Sequence, residues 1–343
     1  MSASPTGQMR NYFVRRLLLI IPTLFGISIV SFLIIHLAPG DPAALKFGQE
    51  ERSGSQPLTA QMIKETRALY GLDQPLTVQY VQWFKRIVTF DFGESLRDHR
   101  PVIARLKERI PVSIKLSGIS LLLAYSLSIP LGIYCATRQH TAGERLITVL
   151  LFALYSLPNF WFATMAIVYF GGGDFWNAFP VYGLQSTGSE SWPWWQQLRD
   201  QIWHLILPVT CMSYYTLAVL SRYMRTGMLE TIGQDFIRTA RAKGLSERVV
   251  VYRHALRNSL IPIITLMADV LPALIGGSIV VETLFSIPGM GLLSSEAVFS
   301  RDYPVLMGIF TLSALMTLVG ILISDFLYTL VDPRIGYEKR ASA

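Results

Sequence analysis

Apolar runs close to bilayer length recur along the chain, separated by polar stretches. Five of them, Leu17–Ile35, Leu116–Thr137, Leu146–Gly173, Gln201–Ser221 and Tyr303–Ser324, carry no formal charge, and a sixth from about Asn258 to Val281 carries one, Asp269. About 20 residues at 1.5 Å each cross a bilayer core. With no water in the core, every backbone polar group must bond internally, so each run predicts a helix. The pattern predicts an all-α membrane protein with six transmembrane helices. Prolines inside the runs (Pro22, Pro130, Pro158, Pro208, Pro262, Pro272) are tolerated in membranes because neighbours re-satisfy the freed groups. Arg10, Arg15 and Arg16 before the first run suit a leader peptide. The apolar stretch is longer than a leader core and no small-x-small site follows at once, so it is read as a retained helix.

Charge sets the direction. The chain has 343 residues, 51% hydrophobic and 15% charged, against about a quarter charged in soluble domains. Its net charge of +7 follows where the basic residues lie. Segments 1–16, 138–145, 222–257 and 325–343 hold sixteen of the thirty Lys and Arg, whereas 174–200 and 282–302 hold only Arg199 and Arg301. By the positive-inside rule both termini are cytoplasmic. The remaining basic residues lie in 36–115, a loop long enough to escape that rule. This distribution leaves no basic stripe of the kind that nucleic acid needs. Cys135 and Cys211 both sit in apolar runs and form no framework or metal spacing.

Segment 38–111 is mixed in charge, with short helices expected at Thr59–Tyr70 and Val78–Thr89, punctuated by Gly71 and Pro75. It reads as a small extracytoplasmic cap. Trp192, Trp194 and Trp195 stand just before the fourth run, where an aromatic belt anchors a helix or a substrate could touch. The cytoplasmic loop 222–257 is too long for a simple connection. Asp235 suits an N-cap and Gly244 a C′ position, with Arg241 and Lys243 in the last turn of the helix between them. Ser246 and Glu247 open a second helix that runs on into the fifth span. A two-turn helix alone in water is marginal. Its outer face therefore meets a partner protein or lies on anionic lipid and solvent; spacing alone leaves both open.

The run from Asp235 to Leu245 (Asp-Phe-Ile-Arg-Thr-Ala-Arg-Ala-Lys-Gly-Leu), followed by His254-Ala255-Leu256-Arg257-Asn258, resembles the cytoplasmic EAA loop of ABC importer permeases, in the form of the dipeptide/oligopeptide/nickel family. Arg15-Arg16-Leu17, Ala38–Pro42, Asp91–Ser95, Gly276–Ser278, Val281–Gly291, Arg301–Pro304 and Asp332–Arg334 resemble further features of that family, in order, over nearly the whole chain. Arg238 stands where other importers have the leading Glu and Arg257 where they have Pro, so a Glu-based contact with an ATPase does not carry over. The resemblance implies a type I ABC importer permease fold. Its parts would be a cytoplasmic N-terminus (1–16), a first helix (17–37), an extracytoplasmic segment (38–111), a five-helix core with the coupling loop (112–334) and a tail (335–343). It implies that Thr239, Ala240, Arg241, Ala242, Lys243, Gly244 and Leu245 dock on an ATPase. It implies a bacterial inner-membrane location and, as partners, a homologous second permease in a heterodimer, two ATPase subunits or domains and an extracytoplasmic solute-binding protein. The cargo would be di- or oligopeptides, with nickel chelates, glutathione or peptide antibiotics as alternatives.

Neither a phosphate-binding Gly-rich loop with Lys-Ser/Thr nor a His-Glu-x-x-His motif occurs, and the five histidines lack ligand spacing. No metal or cofactor is expected on this chain, with ATP and Mg on partner subunits. Asp269 lies near mid-bilayer, where a charge must face water, a partner or a hydrogen-bond donor. It is a candidate for the substrate path or for a hydrogen-bonded acid that holds helices together. Tyr214, Tyr215 and Asn159 are further path candidates, each also suited to packing. The rival class is an ATP-independent secondary transporter, which would show internal repeats; none is evident.

Overall fold

The computed structural model describes residues 18–19, 21–30, 32–33, 73–172 and 175–331. The expectations for Arg10, Arg15, Arg16, Ala38–Pro42, the helix at Thr59–Tyr70, and Asp332–Arg334 lie outside them. The described residues are helical, with isolated bridges only. Four helices are long and apolar enough to cross a membrane, and a bent pair makes up to five. Two compact units form, one drawn from 1–111 and 292–315, the other from 112–291 and 316–343.

In the first unit, α1 (Ile21–Val30) meets α2 (Leu76–Val88), close to the helix expected at Val78–Thr89. Tyr80, Trp83 and Phe84 share one face of α2, as i, i+3 and i+4 positions do. Phe25 and Phe32 lie against them with ring centroids 5.4–6.0 Å apart, and the Ser28 and Tyr80 hydroxyls bond at 2.8 Å. A turn over 89–101 leads into α3 (Val102–Thr137), which starts well before the apolar run at Leu116. The unit closes with most of α13 (Met290–Ser300) and the start of α14 (Tyr303–Val331).

The second unit holds two hydrophobic cores. At one end, Ile133 and Ala136 of α3 pack with Met224 and Met228 of α6 (Trp194–Ile232) and with Ile237, Val250, Val251 and Ala255. At the other end, Leu116 of α3 packs with Leu205, Leu207 and Val209 of α6 and with Val281, Phe285 and Ile287. So α3 and α6 run parallel, and the chain between them must return along their length. It does so through α4 (Ala142–Ser156) and α5 (Asn159–Phe170), which meet at 100°.

That bend divides the run Leu146–Gly173, expected as one helix, into two. Pro158 has no N–H and forces the residue before it out of the helical region; Leu157 is extended, with ψ 127°. Pro208, by contrast, sits within an unbroken α6. Small residues let helices approach: a Cβ on Gly132 would fall 2.5 Å from Met224 Cβ, and one on Gly227 2.9 Å from the Ser259 carbonyl oxygen.

The fifth run is not one regular helix either. After α7 (Asp235–Ala242) come α8 (Glu247–Val249), a π-helical turn (Val250–Ala255), α9 (Leu256–Ser259), α10 (Ile261–Leu266), a 3₁₀ turn (Met267–Asp269), α11 (Val270–Gly276) and α12 (Ile279–Leu284). Pro272 cannot donate to the Ala268 carbonyl four residues back. Gly320 of α14 lies against that carbonyl so closely that a Cβ would be 2.1 Å away, and the Ser324 hydroxyl donates to the Ile264 carbonyl at 3.0 Å. The neighbouring helix thus meets the irregular backbone at two of its carbonyls.

Candidate functional site

The loop between α6 and the fifth run is built on two buried side chains. Ile237 is fully buried and Ala240 nearly so, both in the core with Met224, Met228 and Val250. The helix N-cap is Gln234, not Asp235, which occupies the first helical turn and offers its charge there. The C-terminal end follows the expectation. Gly244 takes φ +75°, its N–H donates to the Arg241 carbonyl at 2.9 Å, and the Leu245 N–H donates to the Ala240 carbonyl at 3.4 Å. These are the two bonds of a Schellman motif, and they need the left-handed residue that glycine supplies.

The outer face is exposed among the described residues. Phe236, Arg238, Thr239, Arg241, Ala242, Lys243, Gly244 and Leu245 are exposed. Arg241 braces the turn by donating to both oxygens of Glu247, at 3.1 and 2.6 Å. That hydrogen bond holds the Glu247 carboxyl below its ordinary value and the Arg241 guanidinium above its own. Of the seven residues the sequence nominates here, Ala240 alone is turned inward.

Behind the loop, a pair that the sequence reading passed over links α4 to α6. Thr141 caps α4 by accepting the Glu144 N–H at 3.3 Å. The buried Glu144 carboxylate accepts from Arg225 at 3.0 Å and from the Thr148 hydroxyl at 3.1 Å. The Thr-x-x-Glu capping signature was there to be read; the partner 81 residues away was not.

Halfway along α6, the α4–α5 bend opens a cavity of about 500 Å³. It is lined by Tyr155 to Asn159, by Met212, Tyr215 and Thr216 of α6, and by Ser278. Two nominated path residues, Asn159 and Tyr215, line it. Tyr215 stacks on Tyr155 with centroids 5.3 Å apart, and Arg222 sits over the Tyr155 ring at 5.6 Å. Tyr214 instead turns into the core, where its hydroxyl donates to the Leu157 carbonyl at 3.0 Å and its ring lies 4.2 Å from Phe162. It pins the bend. Asp269 is elsewhere, exposed at the 3₁₀ break.

Two motifs quoted from the sequence acquire a geometry. Glu282 is fully buried. Its Oε1 accepts from the Ser113 hydroxyl at 2.9 Å and the Ser278 N–H at 3.2 Å, and Ser113 accepts the Met290 N–H at 2.7 Å. Gly277 and Gly289 make room, since a Cβ on either would fall 2.1 or 2.5 Å from a Glu282 oxygen. In the first unit, Asp91–Ser95 and Arg301–Pro304 meet. Asp302 accepts from Ser95 at 2.5 Å, from the Leu96 N–H at 3.1 Å and from Arg105 at 3.4 Å; Arg105 also faces Asp98 and Glu296, each at 3.6 Å. Burial pushes the Asp98 carboxyl up. Hydrogen bonds from Ser95 and Arg100, with the Arg105 and Arg100 charges, outweigh it and hold the group below its usual range.

A family model for the binding-protein-dependent transport system inner membrane component matches residues 128–337, and one for the N-terminal part of such membrane components matches 9–117. The chain belongs to that family. Among its relatives, the oligopeptide transport system permease protein AppB of Bacillus subtilis (strain 168) is 41% identical over 96% of this chain and all of its own length. The inner membrane ABC transporter permease protein YejB of Escherichia coli O157:H7 is 35% identical over 97% of this chain and all of its own. The dipeptide transport system permease protein DppB of Escherichia coli (strain K12) is 34% identical over 96% and all of its own. This binding-protein-dependent component is therefore a transport permease of the inner membrane, and the secondary-transporter reading is not favoured. Among the described residues no group of His, Cys, Asp and Glu is arranged to hold a metal ion.

Proposed function

We propose that this chain is the permease subunit of an ATP-driven ABC importer that moves di- or oligopeptides across the inner membrane by alternating access. The names of its relatives support the cargo class. The observation that carries the mechanism is the helix Asp235–Ala242. It is anchored from within by Ile237 and Ala240, while its outer face exposes Phe236, Leu245 and three cations, of which Arg238 and Arg241 pair only with exposed acids of the same loop among the described residues. In this reading Thr239, Arg241, Ala242, Lys243, Gly244 and Leu245 dock on an ATPase subunit, and Ala240 holds the helix that carries them. The chain has six transmembrane helices with both termini cytoplasmic, Leu17–Ile35 being the first and the bent α4–α5 pair the third. The extracytoplasmic segment 38–111 caps one side. A homologous second permease, two ATPases that bind ATP and Mg, and a solute-binding protein complete the machine. Asn159, Tyr215 and Asp269 line the substrate path, and Tyr214 holds its corner. ATP-driven closure of the ATPases would move α7, and the core built on Ile237, Met224 and Met228 would pass that motion into α6.

The test is peptide-stimulated ATP hydrolysis by the assembled complex in proteoliposomes. Lys243→Glu with Ala242→Asp changes exposed positions only. The expected result is an intact complex whose stimulation is lost; stimulation equal to wild type would reduce α7 to a membrane-surface segment.

A further inference from the structure

The cavity at the α4–α5 bend has a neutral lining, although the Arg222 guanidinium lies 5.6 Å from the Tyr155 ring. Its lining side chains are two phenols, two hydroxyl-bearing serines, a threonine, an amide, a thioether, a leucine and a proline, with no ionisable carboxylate or ammonium among them. Its volume of about 500 Å³ falls in the range of small-ligand sites, about 300–1,000 Å³. The backbone adds polarity without charge. The first N–H groups of α5 come to this corner and lack helical partners, as at any helix start, whereas the Phe152, Leu154 and Leu157 carbonyls already accept from Ser156, Leu157 and Tyr214. Pro158, the N-cap of α5, offers no capping side chain. The Asn159 side chain lines this corner. Tyr155 and Tyr215 make one wall a stacked aromatic face.

We infer that this cavity is a station for an uncharged stretch of peptide. Amide main chain is held there by the donors and acceptors of the bend, and an uncharged side chain lies on the tyrosine face. A peptide bond carries one donor and one acceptor, which a corner built from a helix start and a carboxamide can satisfy together. A charged side chain entering the same space leaves water and meets no opposite charge among the lining residues, which is costly at membrane depth. The station would therefore select against charge at one position of the cargo, independently of the upstream solute-binding protein. The inference rests on the peptide-import reading.

The test is ATP-dependent uptake of Ala-Ala-Ala, Ala-Lys-Ala and Ala-Glu-Ala by the complete complex in proteoliposomes, for wild type and Asn159→Asp. Each variant is compared with wild type under the same binding protein, so that protein's own preference cancels. An anion in the station should raise the lysine-to-glutamate uptake ratio by about tenfold, because like charges repel and opposite charges attract at close range. Thr216→Asp, on the facing helix, should shift the ratio the same way and serves if Asn159→Asp does not assemble. A ratio unchanged in both variants, with Ala-Ala-Ala still carried, overturns the station and leaves the import reading standing. Absence of ATP-dependent Ala-Ala-Ala uptake by wild type overturns both.

Discussion

Arg105 is buried to 7% exposure among three acids, and Asp302, its most buried partner, retains 1%. A guanidinium can serve several carboxylates at once because its donors are arranged as a fixed fork. Such a group is retained at a cost, since removing one partner of a buried pair leaves the other charge uncompensated, at about 3–5 kcal/mol. Arg105→Met should therefore lower the thermal stability of the detergent-purified complex strongly, by that order. Asp302→Leu added to it should recover part of the loss, because the stranded charge goes too. If the double variant is as unstable as the sum of the singles, Arg105 and Asp302 do not act as a pair. Glu282 is buried too. Its carboxylate accepts from a hydroxyl and a backbone N–H, and glycines at 277 and 289 clear the space around it.

At the scale of the element, α7 has two supports of unequal weight. Ile237 is fully buried, and truncating such a side chain to Ala costs about 2–5 kcal/mol. The Arg241–Glu247 brace is 41% and 62% exposed, so solvent screening limits it to about 0–1 kcal/mol. Hydrogen exchange over 233–250 should thus rise sharply in Ile237→Ala and barely in Glu247→Gln. Equal protection in the two variants would mean that α7 is not held by the core. The brace also sets a pH dependence. The Glu247 carboxyl sits below its reference value of 4.5, so its contribution is complete above that pH. It is lost as pH falls through the lowered value, and importer activity near neutrality is untouched by it.

For the whole second unit, the decisive relation is the parallel run of α3 and α6, which obliges α4 and α5 to carry the chain back. Residues 139 and 187 then lie at opposite ends. With both native cysteines buried, the background for thiol labelling is low. In oriented membrane vesicles, Gln139→Cys should react with an impermeant maleimide from the cytoplasmic side and Thr187→Cys only from the other. Labelling of both from one side would make the bent pair re-entrant and reduce the count of spans.

The sequence alone determined the solvent of this protein, the place of its apolar runs and the capping of the helix that ends at Gly244. Each depends on short-range rules: run length against bilayer thickness, and cap chemistry at Gly244. It could not show that Ala240 faces inward while Ala242 faces out, because that depends on which side of α7 meets Met224 and Met228. Nor did it distinguish Pro158 from Pro208. Both remove one donor, yet only the first has its chain turned through 100°, with the corner pinned by a tyrosine 57 residues away. The charged residues at 105, 144, 282 and 302 read locally as loop or flank charges. Only the tertiary structure made them buried centres, because the helices that surround them are joined by packing and not by sequence.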